Sequence, residues 1–294
     1  MEKLYAGIEL GGTKIVCAFG YSGKIQEKVI FPTKEPNENL KEIIKFLKKE
    51  KIEAIGIASF GPLIIDPKDR SYGLITNSVK AHWTNFNIIE ALKKELSSPL
   101  FLDTDVNAAA YGEYLFGSGK NLNTLVYWTV GTGIGSGIII SKEIYHGLVH
   151  GEMGHWLISR DKDDLFEGVC PIHKDCLEGL ASGPSIMKRW NVKIATDLKE
   201  GHKGWDLESK YLSIAVINTI LSFSPDRIII GGGVMKNRSL FPKIRKLTSD
   251  FCNKFFQNDK FKDMENYIVP PLLGDDAGII GAIALAQNGL RKKT

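Results

Sequence analysis

Two glycine-rich turns, each between two apolar strands, contain the residues of this chain best suited to hold phosphate. The first has Gly11, Gly12, Thr13 and Lys14, and the second has Gly131, Thr132, Gly133 and Gly135. Glycine lets backbone N–H groups approach a phosphate with no Cβ in the way. Neither turn has the spacing of a P-loop or a dinucleotide fingerprint, and each could be a plain hairpin. Two such turns nevertheless predict two similar half-domains that hold one polyphosphate.

Two further glycine clusters lie at the ends of predicted elements. Gly231, Gly232 and Gly233 end a strand and precede a helix, and Gly274 precedes two aspartates and another helix. Such positions would let an adenine and a ribose lie against backbone. Together the four clusters favour a nucleotide site, with ATP as the expected ligand.

Asp105 is the candidate general base. It follows an apolar strand and opens a helix in the segment Asp103-Thr104-Asp105-Val106-Asn107. Helix capping by Asp or Asn is the alternative explanation for this pattern. Phosphoryl transfer to a sugar needs one carboxylate against the attacking hydroxyl, with cations and donors around the phosphoryl group. We therefore expect Asp105 at a strand end, facing a cleft.

Two histidines and two cysteines have the spacing of a structural zinc site. The set is His155, Cys170, His173 and Cys176. Structural zinc takes four such ligands; the alternative is reduced thiols beside unrelated surface histidines. The remaining histidines have no such arrangement and are interpreted as ordinary surface or turn residues: His82, His146, His150 and His202.

Composition excludes several classes of protein. The chain has 294 residues, of which 43% are hydrophobic and 24% charged, and its net charge is +4. These values are ordinary for a globular protein. No apolar run approaches the roughly 20 residues of a membrane helix, and the N-terminus has no signal-peptide core. The sequence predicts a cytoplasmic protein with no membrane partner and, lacking any nucleic-acid module, no nucleic-acid partner.

The predicted elements run strand-strand-strand-helix-strand-helix, and this order occurs twice, which indicates an α/β fold. We place the boundary near Gly117-Ser118-Gly119. The predicted small domain covers residues 1–117 plus 276–294, because the last helix is expected to return to the first half. The predicted large domain covers residues 118–275.

On these residues the chain resembles the ROK family of bacterial sugar kinases. The resemblance implies the actin-like ATPase (ribonuclease H-like) fold, with two similar domains around a central cleft. Its motifs run through nearly the whole chain: Glu9-x-Gly11-Gly12-Thr13-Lys14, Asp105-Val106-Asn107-Ala108-Ala109, residues 131–137, Glu152-Met153-Gly154-His155 and Cys176-Leu177-Glu178.

The resemblance implies a role for each motif. Asp105 would be the catalytic base, and Glu9 would orient Mg²⁺ through water. The sugar would be held by Gly61, Pro62, Asn107, Glu152, His155 and Glu178. His155 would also be a zinc ligand. A homodimer is usual in this family.

Two departures from the glucokinase pattern bear on the substrate. Glu9 and Thr104 stand where glucokinases of the family carry Asp and Asn. Residues 7–14 and 59–63, Trp83-x-Asn85-Phe86 and the zinc set look like the fructokinase branch instead. The stretch Asn77–His82 departs from the usual Thr-Pro-Lys-Pro-Gly, which could alter specificity. The expected reaction is ATP-dependent phosphorylation of the 6-hydroxyl of D-fructose.

Three alternatives remain at this point. The substrate could be another hexose, such as mannose, glucose or an N-acetylhexosamine. A sugar-responsive regulator of the same family would need a DNA-binding domain ahead of Tyr5, which this sequence lacks. A filament-forming or chaperone-like ATPase of the same fold would lack the sugar glutamates and the zinc cluster. Fold alone does not choose among them.

Overall fold

The computed structural model describes residues 3–78 and 80–292. Val79, in the stretch predicted to affect specificity, and the outermost residues of the predicted domain ranges lie outside the described residues. The strands are β1 Tyr5–Leu10, β2 Lys14–Tyr21, β3 Lys24–Pro32, β4 Ile55–Ser59, β5 Leu74–Ile75, β6 Phe86–Asn87, β7 Leu100–Thr104, β8 Leu125–Val130, β9 Ile134–Ile140, β10 Glu143–Ile144, β11 Arg227–Gly231 and β12 Ile268–Val269.

The α-helices complete this set. They are α1 Pro36–Leu47, α2 Ile88–Lys93, α3 Asp105–Phe116, α4 Leu177–Ala181, α5 Gly183–Trp190, α6 Lys203–Phe223, α7 Leu240–Phe255, α8 Met264–Tyr267 and α9 Ala277–Arg291. None of the helices in the described ranges combines the length and apolarity that crossing a bilayer requires. The predicted α/β pattern is confirmed, although α4 and α5 were not predicted.

The chain divides into two compact units. The first comprises Met1–Asn121, Glu143–His150 and Leu272–Thr294, and the second comprises Leu122–Lys142 and Gly151–Pro271. This division differs from the predicted one chiefly at Glu143–His150, an excursion from the second half of the sequence that belongs to the first unit.

The first unit is built on a twisted sheet with the strand order β3-β2-β1-β4-β7. The first three strands are antiparallel neighbours, whereas β1, β4 and β7 are parallel. One face is covered by apolar side chains of α1 and α2, including Ile43, Leu47 and Leu92. The parallel strands end at a common edge, which is where ligands bind in open α/β sheets.

Helix α9 covers the other face of this sheet. It packs on β1 and β4 and against α3, and Ile279 and Ile283 lie in a buried cluster with Val16 of β2. The approach is close because glycines line it: a Cβ added to Gly56 would collide with the backbone of Ala282, and one added to Gly281 would collide with Ala108. The expectation that the last helix packs on the first half is confirmed.

The second unit has a similar parallel pair at its centre. Within it the strand order is β9-β8-β11-β12, with β8 parallel to β11 and antiparallel to β9. Its core includes Trp128, Ile230 and Trp205, which are at most 2% exposed. Gly231, the last residue of β11, pairs with Thr129, near the end of β8. The carboxyl ends of these two parallel strands therefore lie at the same edge of the sheet.

Glu113, near the end of α3, forms hydrogen bonds with two chain segments of the first unit, one at residue 118 and one at residues 272–273. Its buried carboxylate accepts hydrogen bonds from the N–H groups of Ser118 at 2.7 Å, Leu272 at 3.2 Å and Leu273 at 2.7 Å. Three donors on one buried carboxylate form a charge-assisted cluster stronger than neutral hydrogen bonds.

Glu113→Gln should lower the free energy of unfolding by about 1–3 kcal/mol, because the amide has one oxygen for three donors and leaves a partly buried N–H without an acceptor. Urea denaturation would measure the change, with Glu42→Gln on the exposed face of α1 as the matched control. Equal midpoints for the two variants would contradict the role assigned to Glu113.

Candidate active site

The edge formed by β1, β4 and β7 brings three carboxylates of the first unit together. Glu9 pairs with Ala58, which in turn pairs with Asp103. Asp105 follows at the first position of α3. The parallel register therefore places residues from three separated sequence segments in one row.

Local hydrogen bonds fix Asp105 at the start of its helix. Thr104 caps α3 by accepting from the N–H of Asn107 at 3.2 Å, and Asp105 Oδ1 accepts from the N–H of Val106 at 2.9 Å. Burial raises the pKa of Asp105 to about 6, although the backbone N–H groups of Val106 and of Asp105 itself and the nearby His150 act in the opposite direction. A carboxylate with this pKa is ionised at neutral pH and is still basic enough to take a proton.

Glu9 is held close to Asp105 and has an unsatisfied oxygen. Burial, followed by the negative charge of Asp105, raises its pKa to about 7, while Lys14 acts in the opposite direction. Asp275 and Asp276 add to the negative potential. Glu9 Oε2 is buried and has no hydrogen-bond partner among the described residues. Such an oxygen, in a cluster of acidic groups, fits a hard divalent cation or its bound water.

The first glycine turn is closed by a backbone hydrogen bond and is held in place by Thr33. The Gly11 N–H donates to the Lys14 carbonyl at 3.0 Å. Thr33 at the end of β3 donates its hydroxyl to the Gly11 carbonyl at 2.7 Å and its N–H to the Thr13 carbonyl at 3.1 Å. These bonds occupy the carbonyls of the turn. They agree with the phosphate role predicted from the glycines, which stays a prediction.

The predicted sugar residues of the first unit lie around the same edge. The Pro62 carbonyl accepts from the N–H of Thr76 at 2.9 Å, and the next residue, Leu63, donates its N–H to His150 Nε2 at 3.3 Å. Asn107 is buried, and its amide donates to Asp103 at 2.7 Å. Asn107 therefore organises the helix start, and its predicted contact with a sugar is untested.

In the second unit, the second glycine turn and the third glycine cluster meet. The Gly131 N–H donates to the Gly133 carbonyl at 2.9 Å, and a Cβ added to Gly131 would lie 3.8 Å from the Gly233 nitrogen. Gly232 has φ of +94° against the backbone of Val130, a conformation that favours glycine. Two segments a hundred residues apart thus form one glycine-lined surface of backbone.

Glu178, predicted as a sugar ligand, also positions the second turn. Its carboxylate Oε2 accepts from the N–H of Ile134 at 2.9 Å. A Cβ on Gly133 would lie 2.7 Å from that oxygen, which explains the small residue there. Glu178 sits on α4, which Cys176 precedes at its N-cap.

The four predicted zinc ligands converge. The donor atoms of His155, Cys170, His173 and Cys176 all lie within 4.8 Å of one another. His155 Nδ1 is 3.7 Å from Cys170 Sγ and 3.6 Å from Cys176 Sγ, and His173 Nδ1 is 3.8 Å from Cys170 Sγ. A tetrahedral zinc with ordinary Zn–S and Zn–N bonds gives S···N edges of about 3.6 Å. The donor set and its dimensions fit zinc.

The thiol of Cys176 needs a nearby cation to ionise at neutral pH. Burial raises the pKa of Cys176 to about 11, so its thiolate, the form that binds metal, becomes favoured only when a cation neutralises it. With Nδ1 of His155 directed at the thiols, its other ring nitrogen is left for another partner. Glu152 is exposed at the start of the short turn Met153–His155.

Two histidines were misjudged from the sequence. His146 Nε2 lies 2.7 Å from Asp103 Oδ2, and His150 contacts Leu63 and acts electrostatically on Asp105. They are not ordinary surface or turn residues, because the excursion Glu143–His150 brings them close to Asp103, Asp105 and Leu63 of the first unit. Their spacing carries no motif, so the sequence held no signal for this contact.

Comparison with known proteins gives a consistent result. A sequence model described as "ROK family" matches residues 5–289. A fructokinase of Zymomonas mobilis is 41% identical over 97% of each chain, and one of Pediococcus pentosaceus is 39% identical over 98% of this chain and 99% of its own. The ROK hexokinase of Thermus thermophilus superposes with a TM-score of 0.80 at 22% identity, covering 98% of this chain and 99% of its own. The expected actin-like ATPase fold is confirmed.

The metal cluster yields a direct test. Cys176→Ser should reduce bound zinc, from one ion per chain, by at least tenfold and lower the melting temperature, because the closed site loses a thiolate ligand and the loop loses its constraint. Elemental analysis and thermal melting would measure both. Cys252→Ala removes a thiol outside the cluster and should leave the zinc content unchanged. Equal zinc content in the two variants would contradict the site.

Proposed function

The chain belongs to the ROK family, and from this we propose that it is an ATP-dependent fructokinase that phosphorylates the 6-hydroxyl of D-fructose. The observation that carries the proposal is the half-buried carboxylate of Asp105, which follows β7, interacts with Glu9 of β1 and has a pKa raised to about 6. Identities of 37–41% with fructokinases over nearly the full chain support fructose as the sugar. These relatives include the enzyme of Streptococcus mutans.

Asp105 is proposed to accept the proton of the 6-hydroxyl as that oxygen attacks the γ-phosphorus and ADP leaves. Its position at the N-terminus of α3 stabilises the ionised form through the helix dipole. Its raised pKa increases its basicity. Phosphoryl transfer depends mainly on such positioning and on charge stabilisation.

The phosphates are assigned to the two glycine turns. In the first unit Thr13, Lys14 and the Gly12 N–H would donate, while Gly11, whose N–H is bonded to the Lys14 carbonyl, would let a phosphate approach its backbone. In the second unit the donors would come from Thr132, Gly133 and Gly135. Gly131, whose N–H is bonded to the Gly133 carbonyl, would lie beside the phosphates, with Gly231, Gly232 and Gly233 along the nucleotide. The glycines support this assignment, because they leave no side chains above the backbone.

Glu9 is the proposed magnesium residue. Its buried unsatisfied oxygen and its acidic surroundings support the assignment. Bound Mg²⁺ would neutralise charge on the β- and γ-phosphate oxygens. Glu9 itself would hold the ion through water, which Mg²⁺ retains readily.

The sugar hydroxyls are assigned to Glu152, His155 and Glu178, with Gly61, Pro62 and Asn107 from the first unit. His155 would combine two roles, because Nδ1 faces the thiols and Nε2 is left for a hydroxyl. The zinc would then be structural, fixing the ring that touches the sugar. Glu178 would couple the sugar to the second glycine turn through Ile134.

We propose that the protein acts in the cytoplasm, which supplies ATP and keeps the thiols of the zinc cluster reduced. A homodimer is the expected assembly by analogy with the family, and light scattering would measure it. A non-enzymatic sugar sensor would not need the general base and metal residues, so their presence favours an enzyme.

A coupled ADP-release assay against a panel of hexoses tests the function. The ratio kcat/KM should be highest for D-fructose, at least tenfold above mannose, glucose and N-acetylhexosamines, because a site built for particular hydroxyls rejects sugars that leave its polar groups unpaired. A higher value for another hexose would overturn fructose while leaving the kinase; no ADP release with any sugar would overturn the kinase.

Asp105→Asn should lower kcat by about three or more orders of magnitude while the affinity for an ATP analogue changes less than threefold, because the amide cannot accept the proton. In the unsubstituted enzyme, kcat should fall as pH drops below about 6, where Asp105 becomes protonated. Stopped assays from pH 5 to 8 measure the profile. The control is Asp259→Asn on an exposed turn; near-normal turnover of the Asp105 variant would refute the role.

A further inference from the structure

The excursion Glu143–His150 leaves the second half of the sequence and returns to the first unit. It carries His146, whose Nε2 lies 2.7 Å from Asp103 Oδ2. The imidazole is partly exposed, with 39% of its side chain accessible, whereas the Asp103 side chain is 5% accessible. The contact is therefore between a histidine at the surface and a carboxylate in the interior.

Asp103 receives three donors. Its Oδ1 accepts from the N–H of Thr104 at 2.8 Å and from the amide of Asn107 at 2.7 Å, and His146 lies on Oδ2. The first two bonds come from its own strand end and helix. His146 is the partner that comes from a distant part of the sequence. A buried carboxylate that loses such a partner is left with an unsatisfied oxygen, which is costly.

Hydrogen bonds connect the carboxylate of Asp103 to the first turn of α3, which contains Asp105. Asn107 is hydrogen-bonded to Asp103 through its side chain and to the Thr104 cap through its N–H. Both bonds span the first turn of α3, and Asp105 is the first residue of that turn. A change at Asp103 therefore acts on the residues that hold Asp105.

We propose that His146 is a positioning residue for phosphoryl transfer, which in its charged form holds Asp103 and, through Asn107, the helix turn that presents Asp105. The effect on the reaction rests on the proposed kinase function. The ion pair itself does not, because it is a property of the first unit. His146 does not need to touch the sugar or ATP for this role.

The electrostatics set the direction of the pH response. The hydrogen bond to Asp103 raises the pKa of His146, and burial opposes it. While Asp103 is ionised, the pair is therefore at full strength below the raised pKa of His146 and weakens as pH rises through that pKa, when the imidazole becomes neutral. The titratable groups that face this network are Tyr72, which interacts with Asp103, and Glu9 and His150, which interact with Asp105.

Nuclear magnetic resonance tests the pair without catalysis. The imidazole of His146, assigned by comparison with His146→Gln, should titrate above the ordinary histidine value of about 6.5. In Asp103→Asn its midpoint should fall by about one pH unit, because the carboxylate is gone. A His146 midpoint at or below 6.5 in the unsubstituted protein would overturn the proposal. So would a midpoint unchanged by Asp103→Asn.

Kinetics test the positioning role. As pH rises through the midpoint that the titration gives for His146, kcat of the unsubstituted enzyme should decline about threefold to tenfold, because the charge-assisted bond becomes a neutral one, with KM for ATP unchanged. His146→Gln, whose amide can replace Nε2 as a donor but carries no charge, should already have the lower kcat below that midpoint and lack this decline. His202→Asn, which keeps an N-cap for α6, is the matched control and should retain the normal profile.

The outcomes separate the two hypotheses. An alkaline decline that persists in His146→Gln as in the control would overturn the positioning role even if the pair titrates as expected. If no hexose is phosphorylated, the proposed function fails, and the histidine titration alone then decides whether the ion pair exists. If His146→Gln does not fold, the imidazole whose midpoint falls in Asp103→Asn identifies His146, and its titration in the unsubstituted protein decides the proposal; no imidazole that shifts in Asp103→Asn would overturn it.

Discussion

The burial of two neighbouring carboxylates, Glu9 and Asp105, is the constraint around which the first unit is organised. Burial raises the pKa of Asp105 to about 6 and, together with the negative charge of Asp105, raises the pKa of Glu9 to about 7. Negative charge at such a site is stable only with donors and cations around it. The unit supplies the N-terminus of α3 and Lys14, and it leaves one Glu9 oxygen unsatisfied, which fits a divalent cation.

The constraint in the second unit is the folding of a segment that has little regular structure. Its cluster of two thiols and two imidazoles lies in a loop-rich segment that has little regular structure before α4. Metal binding can supply the folding free energy that such a segment lacks. Since Cys176 begins α4 and Glu178 on that helix bonds Ile134, order at the cluster extends to the second glycine turn.

Sequence patterns identified the candidate residues whose proposed roles depend on local chemistry. The glycine turns, Asp105 and the His/Cys set stand out because each proposed role needs particular residue types at short spacing, and the convergence of the His/Cys set is confirmed. Helices α4 and α5 were missed because the glycine and proline near residues 179–184 mask their short apolar faces. His146 was misjudged because its partner, Asp103, lies 43 residues away and the pairing depends on tertiary packing. The second role of Glu178 was likewise invisible, since a bond to a backbone N–H leaves no mark on the partner's residue type.

Helix α9 has a consequence for biosynthesis. The sheet of the first unit is translated early, but the helix that covers one of its faces follows only after about 170 further residues. At about 5–20 residues per second, the growing polypeptide would carry that uncovered apolar face for roughly 10–30 s. Such a nascent chain is a natural client for ribosome-associated chaperones, and its first core is complete only when α9 has left the ribosome.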